Sequence, residues 1–336
     1  MQLSKLYWRR ASIGLIVTLV CSIAGQFLAK LPGFSLIGHL VLALLLGMCL
    51  QFARSLTAAA QQSTPFIANK FLRAGIILLG FKLNLVILMS AGLKSLEAAV
   101  VIVAVMIPLN YFVARFFKVE HTLALLTACG CSICGAAAVM GVSGAVRAKT
   151  DQSVLAVAIV AILGTLFTLI EVGLQPFLGF TDAQFGVMAG LSLHEIAHPV
   201  AAGGAAGPVA TDSAIIPKLS RVLLLAPVAI IVGVLEARRF RKQDGAGEGR
   251  MSVPIPWFMG GFILASAIGS YLPFVNDFVP SLVQLAYLLL GMAMAALGLN
   301  VNFGVILQKG LRPMVGALLC SFVIMGLSLS IVHTFF

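Results

Sequence analysis

The chain is built of long apolar runs separated by short polar stretches, and this arrangement constrains its fold more than any single motif. Each run is close to the roughly 20 apolar residues that cross a hydrocarbon core as a helix. The runs predict eleven transmembrane helices, at residues 11–31, 35–53, 66–90, 96–117, 121–146, 153–175, 183–206, 214–237, 255–273, 281–300 and 313–333. The predicted fold class is therefore an all-α polytopic membrane protein without an extramembrane domain.

Composition excludes the other broad classes. The 336 residues are 60% hydrophobic and 10% charged, whereas a soluble domain carries about 25% charged residues. The chain therefore cannot cover the surface of a globular cytosolic enzyme, and it is too apolar to be disordered. Six cysteines in 336 residues do not make a disulfide scaffold. The first run is too long for a signal peptide, so we expect an uncleaved span.

The net charge is +11, from 22 Lys and Arg against 11 Asp and Glu. We interpret this excess of basic residues as a signal of membrane topology. The basic residues lie between apolar runs rather than on one face with aromatic residues, which argues against a nucleic-acid partner. Basic residues before the first span place the N-terminus in the cytoplasm. Eight crossings later, the basic loop at 238–253 is also cytoplasmic. Eleven crossings place Phe336 outside.

Two basic pairs disagree with this topology. Arg147 and Lys149, and later Lys218 and Arg221, would lie on the outer side, against the positive-inside bias. Either the neighbouring spans do not cross the membrane fully, or these cations serve an anion.

Two internal alignments suggest repetition. Residues 80–94 align without gaps on residues 298–312, and residues 135–138 align more weakly on residues 291–296. Each alignment pairs spans that are an odd number apart, so that the paired spans run in opposite directions.

Such inverted repeats are typical of secondary transporters. We therefore expect a single transporter domain with an extra N-terminal span at 1–31, a first repeat at about 35–175 and a second at about 183–336. The register of the repeat stays open.

Small and polar residues interrupt span five at Ala128–Ala138. Two glycines here favour a discontinuous helix, which is tolerated at membrane depth only against protein or a water-filled cavity. A half-helix that starts near Gly135 would direct its positive N-terminal end at an anion. Ser132, Cys134 and Gly135 are therefore candidate site residues. The alternative is a tight helix crossing that needs small residues.

Three cysteines at 129, 131 and 134 raise the question of a metal. A closed zinc site needs four ligands at wider, paired spacings. We expect buried inert thiols, with no metal and no cofactor; a soft-metal transporter is the alternative.

The segment Ser192–Gly204 contains His194-Glu195-x-x-His198. On a helix this spacing gives two zinc ligands and a general base, so an intramembrane zinc metalloprotease is an alternative function. Pro199 disfavours helical geometry at His198. Ionisable residues at membrane depth usually face a cavity. We therefore expect all three to lie on a substrate or proton pathway, with an extramembrane loop as the alternative, and we expect no enzymatic activity.

Lys218 and Arg221 are three residues apart and share one helical face, where they could bind a dianion together. Snorkelling to the interface is the alternative. Asn84, Asn300 and Asn302 lie near span ends and are either helix caps or cavity ligands.

Several of these segments resemble the YeiH-type sulfate exporter family of uncharacterised bacterial inner-membrane proteins. Residues 130–138 resemble its G-T-S-I-C-G-A-S-A, with departures at 131 and 137. Residues 192–203 resemble its S-I-H-D-T-A-Q-V-V-A-A-G, with departures at 195, 196, 198 and 199, and the blocks 218–227 and 296–313 look similar. The resemblance covers about residues 70–335.

The resemblance implies a fold similar to the bile-acid symporter and sodium/proton antiporter superfamily, with a panel, a core and two crossing discontinuous helices. By that analogy spans five and ten would cross, which favours the second alignment. The family has Gln where His198 stands here, which weighs against the zinc protease.

Together these observations predict a multi-pass secondary transporter in the bacterial inner membrane. It would move a small, sulfate-like anion by alternating access, with H⁺ or Na⁺ as coupling ion, and could form a homodimer. An anion channel is a further alternative. No phosphate-binding loop is present, which argues against ATP-driven transport by this chain alone.

Overall fold

A computed structural model describes residues 2–31, 34, 39–53, 60, 63–83, 85–86, 92–244, 257–275, 277–300 and 310–336. All regular secondary structure in these residues is helical. The helices are α1 (Gln2–Leu28), α2 (His39–Leu50), α3 (Thr64–Lys82), α4 (Leu93–Phe116), α5 (His121–Ser132), α6 (Ala136–Ser143), α7 (Thr150–Leu174), α8 (Asp182–Ser192), α9 (Ala197–Ala206), α10 (Pro208–Leu223), α11 (Leu225–Asp244), α12 (Trp257–Tyr271), α13 (Val279–Leu299) and α14 (Leu311–Phe335).

Six helical segments among the described residues are long and apolar enough to cross a membrane. They are Thr64–Lys82, Leu93–Phe116, Thr150–Phe177, Pro208–Arg241, Val279–Leu299 and Leu311–Phe335. Two shorter apolar helices cover Ser12–Leu28 and Trp257–Tyr271. The predicted class of an all-helical multi-pass protein is confirmed, while the number of eleven spans stays a prediction.

The chain divides into two compact units. The first comprises Met1–Val86 and Gly261–Phe303, and α13 is its central helix. Ser22 of α1 donates a hydrogen bond of 2.9 Å to the carbonyl of Leu288 in α13. The side chains of Thr64 in α3 and Asn300 bond to each other at 2.9 and 3.1 Å.

The second unit comprises Ile87–Gly260 and Gly304–Phe336. Its helices α4 and α14 pack antiparallel, since Lys94 at the start of α4 reaches the carbonyl of Phe335 (3.4 Å), while Gly316 near the start of α14 lies against Phe117. Buried apolar side chains of both helices, among them Met106 and Ile324, join one core cluster.

Two helices of the second unit are broken in the middle. The first break separates α5 from α6 at residues 133–135, and the second separates α8 from α9 at residues 193–196. Both leading halves end on the same short pattern, Gly130-Cys131-Ser132 and Gly190-Leu191-Ser192. The discontinuity in span five was predicted from its glycines.

The partner of that broken helix differs from the expectation. Span ten was expected to be discontinuous, but α13 runs unbroken from Val279 to Leu299. Its Gly291 lies directly against Ser22 of α1. The small residues of α13 therefore serve close helix packing, and the second broken helix is the predicted span seven.

Two smaller expectations are also corrected. His198 and Pro199 both lie in the first turn of α9, where proline costs little because the N–H of that turn has no helical partner. The predicted loop at 238–253 begins as helix, since α11 continues to Asp244; its remainder, from 245, lies outside the described residues.

The packing of α7 on α9 gives a testable prediction. A Cβ at Gly164 would overlap the ring of His198, so Gly164→Ala should destabilise the fold by about 1–3 kcal/mol. The unfolding temperature of the purified protein in detergent should fall by several degrees. Gly173→Ala, in the same helix but facing open space, is the control and should be neutral or stabilising by up to about 1 kcal/mol. Equal effects of the two variants would contradict this packing.

Candidate functional site

The two helix breaks meet inside the second unit. Glu195, in the second break, accepts a hydrogen bond from the backbone N–H of Ala136 at the start of α6, with an N–O distance of 3.4 Å. Gly135 has a φ of +73°, and a Cβ there would strike the Glu195 side chain. Glycine is therefore required at this turn for both conformation and space. The carboxylate lies at the positive end of the α6 dipole.

Lys218 of α10 joins the two breaks. Its Nζ donates to the carbonyl of Ile133 in the first break (3.2 Å) and to those of Leu193 and His194 in the second (2.6 Å each). The ammonium has three hydrogens, so all of them are used by backbone. The residue is 1% exposed, which removes the snorkelling alternative.

Arg221, one turn further along α10, makes a second set of such contacts. Its Nη1 donates to the carbonyls of Leu191 (2.6 Å) and Leu193 (2.9 Å), and its Nη2 donates to the carbonyl of Cys131 (3.2 Å). The carbonyls of Leu191 and Cys131 belong to the last turns of α8 and α5, and that of Leu193 follows α8 directly. A helix end leaves such carbonyls without internal partners and carries partial negative charge. Two buried cations thus satisfy the ends of both half-helices.

The hydrogen-bond pattern fixes the orientation of both histidines. The N–H of Glu195 donates to Nδ1 of His198 (3.3 Å), so a neutral His198 carries its hydrogen on Nε2. His194 places Nε2 at 2.9 Å from the hydroxyl of Ser321 in α14. That hydroxyl already donates to Ala317, so His194 Nε2 is the donor.

Three nitrogens of this cluster have no hydrogen-bond partner among the described residues, although each is buried. They are Nε of Arg221, Nε2 of His198 and Nδ1 of His194. The first two are donors and the third is an acceptor. A buried polar atom without a partner costs roughly 1–3 kcal/mol, so a polar group bound beside these three nitrogens would be stabilised.

Ser132 and Cys134 are buried beside these groups. The side-chain amide of Asn110 in α4 donates to the Ser132 hydroxyl (3.1 Å). Eight of the predicted site residues therefore belong to one buried region around the two breaks: Ser132, Cys134, Gly135, His194, Glu195, His198, Lys218 and Arg221. Asn300 is not among them, because it caps α13 in the first unit. Asn84 and Asn302 lie outside the described residues.

The zinc-protease geometry is not formed. Helix α9 begins at Ala197, so His194 precedes it and the two imidazoles do not share a helical face. Within the described ranges, no group of three or more His, Cys, Asp or Glu residues is arranged to hold a metal. The cysteines at 129, 131 and 134 are free and buried.

Glu171 of α7 was not singled out from the sequence, although it is completely buried. The only signal was a lone carboxylate inside an apolar run, near the end of a predicted span.

A second missed feature is a polar chain at the edge of an apolar cavity. His121 places Nδ1 at 2.8 Å from the Tyr111 hydroxyl and Nε2 at 2.8 Å from Glu236. The cavity has a volume of about 570 Å³ and is otherwise lined by apolar side chains of α4, α5 and α11 and the residue Leu224 between α10 and α11.

The fold and the buried cluster define a polytopic helical membrane protein with two broken helices held together by buried charge. Comparison with known proteins supplies the family. Residues 13–317 match the family described as Conserved hypothetical protein 698, and the chain belongs to the family of UPF0324 membrane proteins.

Relatives from several bacteria show how much of the chain this membership covers. A UPF0324 membrane protein of Lactobacillus johnsonii is 53% identical over 305 residues, which is 88% of each chain. One of Bifidobacterium longum is 46% identical over 98% of each chain. One of Listeria innocua is 37% identical over 99% of this chain and 97% of its own.

The membership fits the resemblance to the YeiH-type family seen in the motifs. No solved structure matches the chain, and the likeness to the bile-acid symporter superfamily stays a prediction.

The contacts of Lys218 predict a large stability effect. Lys218→Met removes the donor of the buried Ile133 and His194 carbonyls and leaves the Leu193 carbonyl with Arg221 alone, which should cost at least about 2 kcal/mol and lower the unfolding temperature in detergent by many degrees or prevent folding. Lys94→Met is the matched control, because Lys94 is exposed and, among the residues that the structure describes, donates only to the Phe335 carbonyl. Its effect should stay within about 0.5 kcal/mol. A Lys218 variant as stable as the control would show that these contacts do not hold the breaks.

Proposed function

We propose that this protein is a secondary transporter of a small anion that works by alternating access. The observation that supports this proposal most directly is that two broken helices meet around the buried side chains of Lys218 and Arg221. Irregular backbone at membrane depth is tolerated only inside protein or along a water-filled cavity. Broken helices of this kind form the substrate sites of many secondary transporters.

The charges of the cluster favour an anion. Lys218 and Arg221 are both fully enclosed, and among the described residues Glu195 is the one carboxylate that bonds to backbone beside a break. Arg221 and His198 each keep one buried N–H donor without a partner. An anion rich in acceptor oxygens would satisfy such donors and balance the positive charge, whereas a cation would meet two like charges.

Glu195 occupies the position at the N-terminus of α6 where an external anion would be stabilised. We therefore expect the substrate to compete with the Glu195 carboxylate for this helix end. Because the side chain of Glu195 packs directly on Gly135, only a small ligand would fit in place of its carboxylate.

The internal repeat supports the same mechanism. Helices α4 and α14 begin after Gly92 and Gly310, the positions paired by the alignment of 80–94 on 298–312, and they pack antiparallel. We propose that α4 pairs with α14 and that the broken helix α5–α6 pairs with α8–α9, whose leading halves share the Gly-x-Ser ending. The second half of the chain would then contain the counterparts of α4 and α5–α6 in a different order, with the broken helix α8–α9 before α14.

The remaining details follow from the family resemblance and from composition. A sulfate-like substrate rests on the name of the YeiH-type family. The inner-membrane location, the cytoplasmic N-terminus, the outer C-terminus and a homodimer are part of the proposal, and the coupling ion is taken up below.

Transport tests this function. Purified protein in liposomes should show saturable, substrate-dependent flux of at least one anion from a panel that includes sulfate, nitrate, bicarbonate and acetate, under a pH or a sodium gradient. Glu195→Gln removes the competing charge, so the apparent affinity for the anion should rise several-fold. Glu97→Gln is the control, because Glu97 is an exposed carboxylate of α4 and should transport as wild type does.

Three results would contradict the proposal. Absence of flux for every anion under both gradients would exclude transport. Single-channel currents in place of saturable flux would indicate a channel. One bound zinc per chain, with peptide cleavage that is lost in Glu195→Gln, would indicate a metalloprotease.

A further inference from the structure

Glu171 is the carboxylate whose surroundings differ most from those of the others in the second unit. It lies in the last turn of α7, is 0% exposed, and neither of its carboxylate oxygens has a hydrogen-bond partner among the described residues. Glu195 receives the N–H of Ala136, and Glu236 bonds to His121. An ionised carboxylate buried without a partner is far more costly than a neutral carboxyl group.

The polar group beside Glu171 suits the neutral form. Ser192, the last residue of α8, lies next to it, but the Ser192 hydroxyl donates its single hydrogen to the carbonyl of Met188 (2.8 Å). In this arrangement Ser192 offers an acceptor, and a protonated Glu171 can donate to it. An ionised Glu171 would receive a hydrogen bond from Ser192 only if that hydroxyl turned away from Met188.

The cations near Glu171 are the ones that hold the breaks. Lys218 and Arg221 act on Glu171 through space, while their donors are directed at backbone carbonyls. The other titratable groups on elements packed against α7 are thiols, imidazoles and one guanidinium, and none of them bonds to Glu171 in the part of the chain that the structure describes. They are His121, Cys129 and Cys131 of α5, Cys134 in the first break, His194 against Phe167, His198 against Gly164, and Arg312, Cys320 and His333 of α14.

Glu171 lies near one end of its helical segment. The helical segment continues to Phe177, which is 84% exposed. Six residues separate the two positions, which corresponds to about 9 Å along a helix. Glu171 thus lies between one end of the span and the charged cluster.

We propose that Glu171 binds the proton that accompanies the substrate anion. This inference rests on the proposed function and assigns its coupling ion. With Glu171 protonated, the positive charge of Lys218 and Arg221 is less compensated, so the cluster attracts the anion. With Glu171 ionised, its carboxylate compensates that charge in place of the anion. Proton and anion therefore favour each other's binding, a coupling that is reciprocal, and they move in the same direction.

The experiment compares wild type with Glu171→Gln in liposomes, with radiolabelled sulfate and the same anion panel. The glutamine has the size of a protonated glutamate but cannot release a proton. Exchange of the anion at equal pH on both sides should stay within about threefold of wild type, while accumulation driven by a pH gradient and the uptake of protons that accompanies it should disappear. Glu236→Gln, a buried carboxylate of the second unit outside the cluster, should keep both.

The outcomes separate this inference from the proposed function. Absence of anion flux in wild type overturns the proposed function. Wild-type flux that responds only to a sodium gradient, or a Glu171→Gln variant that still accumulates the anion under a pH gradient, overturns the role of Glu171 alone.

Should Glu171→Gln fail to fold, Glu171→Asp provides the second readout. It keeps an ionisable group, so proton coupling should be retained. The midpoint pH of the change in anion affinity should differ from that of wild type. A purely structural role would leave that pH where it is in wild type, and this result would overturn the inference.

Discussion

The second unit of this protein depends on the contact between two buried cations and the carbonyl groups that two broken helices leave exposed. A helix that ends in the middle of a membrane leaves several carbonyls without partners, and no water is available there to bond them. Lys218 and Arg221 make six hydrogen bonds to five of these carbonyls, at distances from 2.6 to 3.2 Å. Without them, these buried carbonyls would lose their side-chain donors.

That solution has a consequence for charge. The carbonyls bring partial negative charge but no full anion. The positive charge of the two cations is therefore balanced mainly by Glu195, and also by Glu171 when Glu171 is ionised. A cluster whose net charge changes with one or two protons, and which keeps buried donors without partners, is suited to bind and release an anion. Stability and the proposed function therefore arise from the same side chains.

Much of this arrangement could be predicted from the sequence, because membrane depth makes each polar residue conspicuous. The break beside Gly135 and the cluster of His194, Glu195 and His198 stand out from apolar surroundings. The partners of Lys218 could not be predicted, since they are backbone carbonyls that any residue would offer. The sequence around Gly291 resembles the sequence around Gly135. The structure shows that α13 is unbroken there and that Gly291 packs against Ser22. Glu171 was missed because a single carboxylate near the end of a predicted span is common in sequences. What sets Glu171 apart is its complete burial, which only the structure shows.

The most direct test of the central claim is a crystal structure of the protein with a heavy anion, selenate or bromide, located by its anomalous signal. An anomalous peak between residues 133–136 and 193–198, with the Glu195 carboxylate moved away from the N–H of Ala136, is the result that this account predicts. A structure in which the anion binds only elsewhere, while Glu195 stays on α6 at saturating anion concentration, would contradict it.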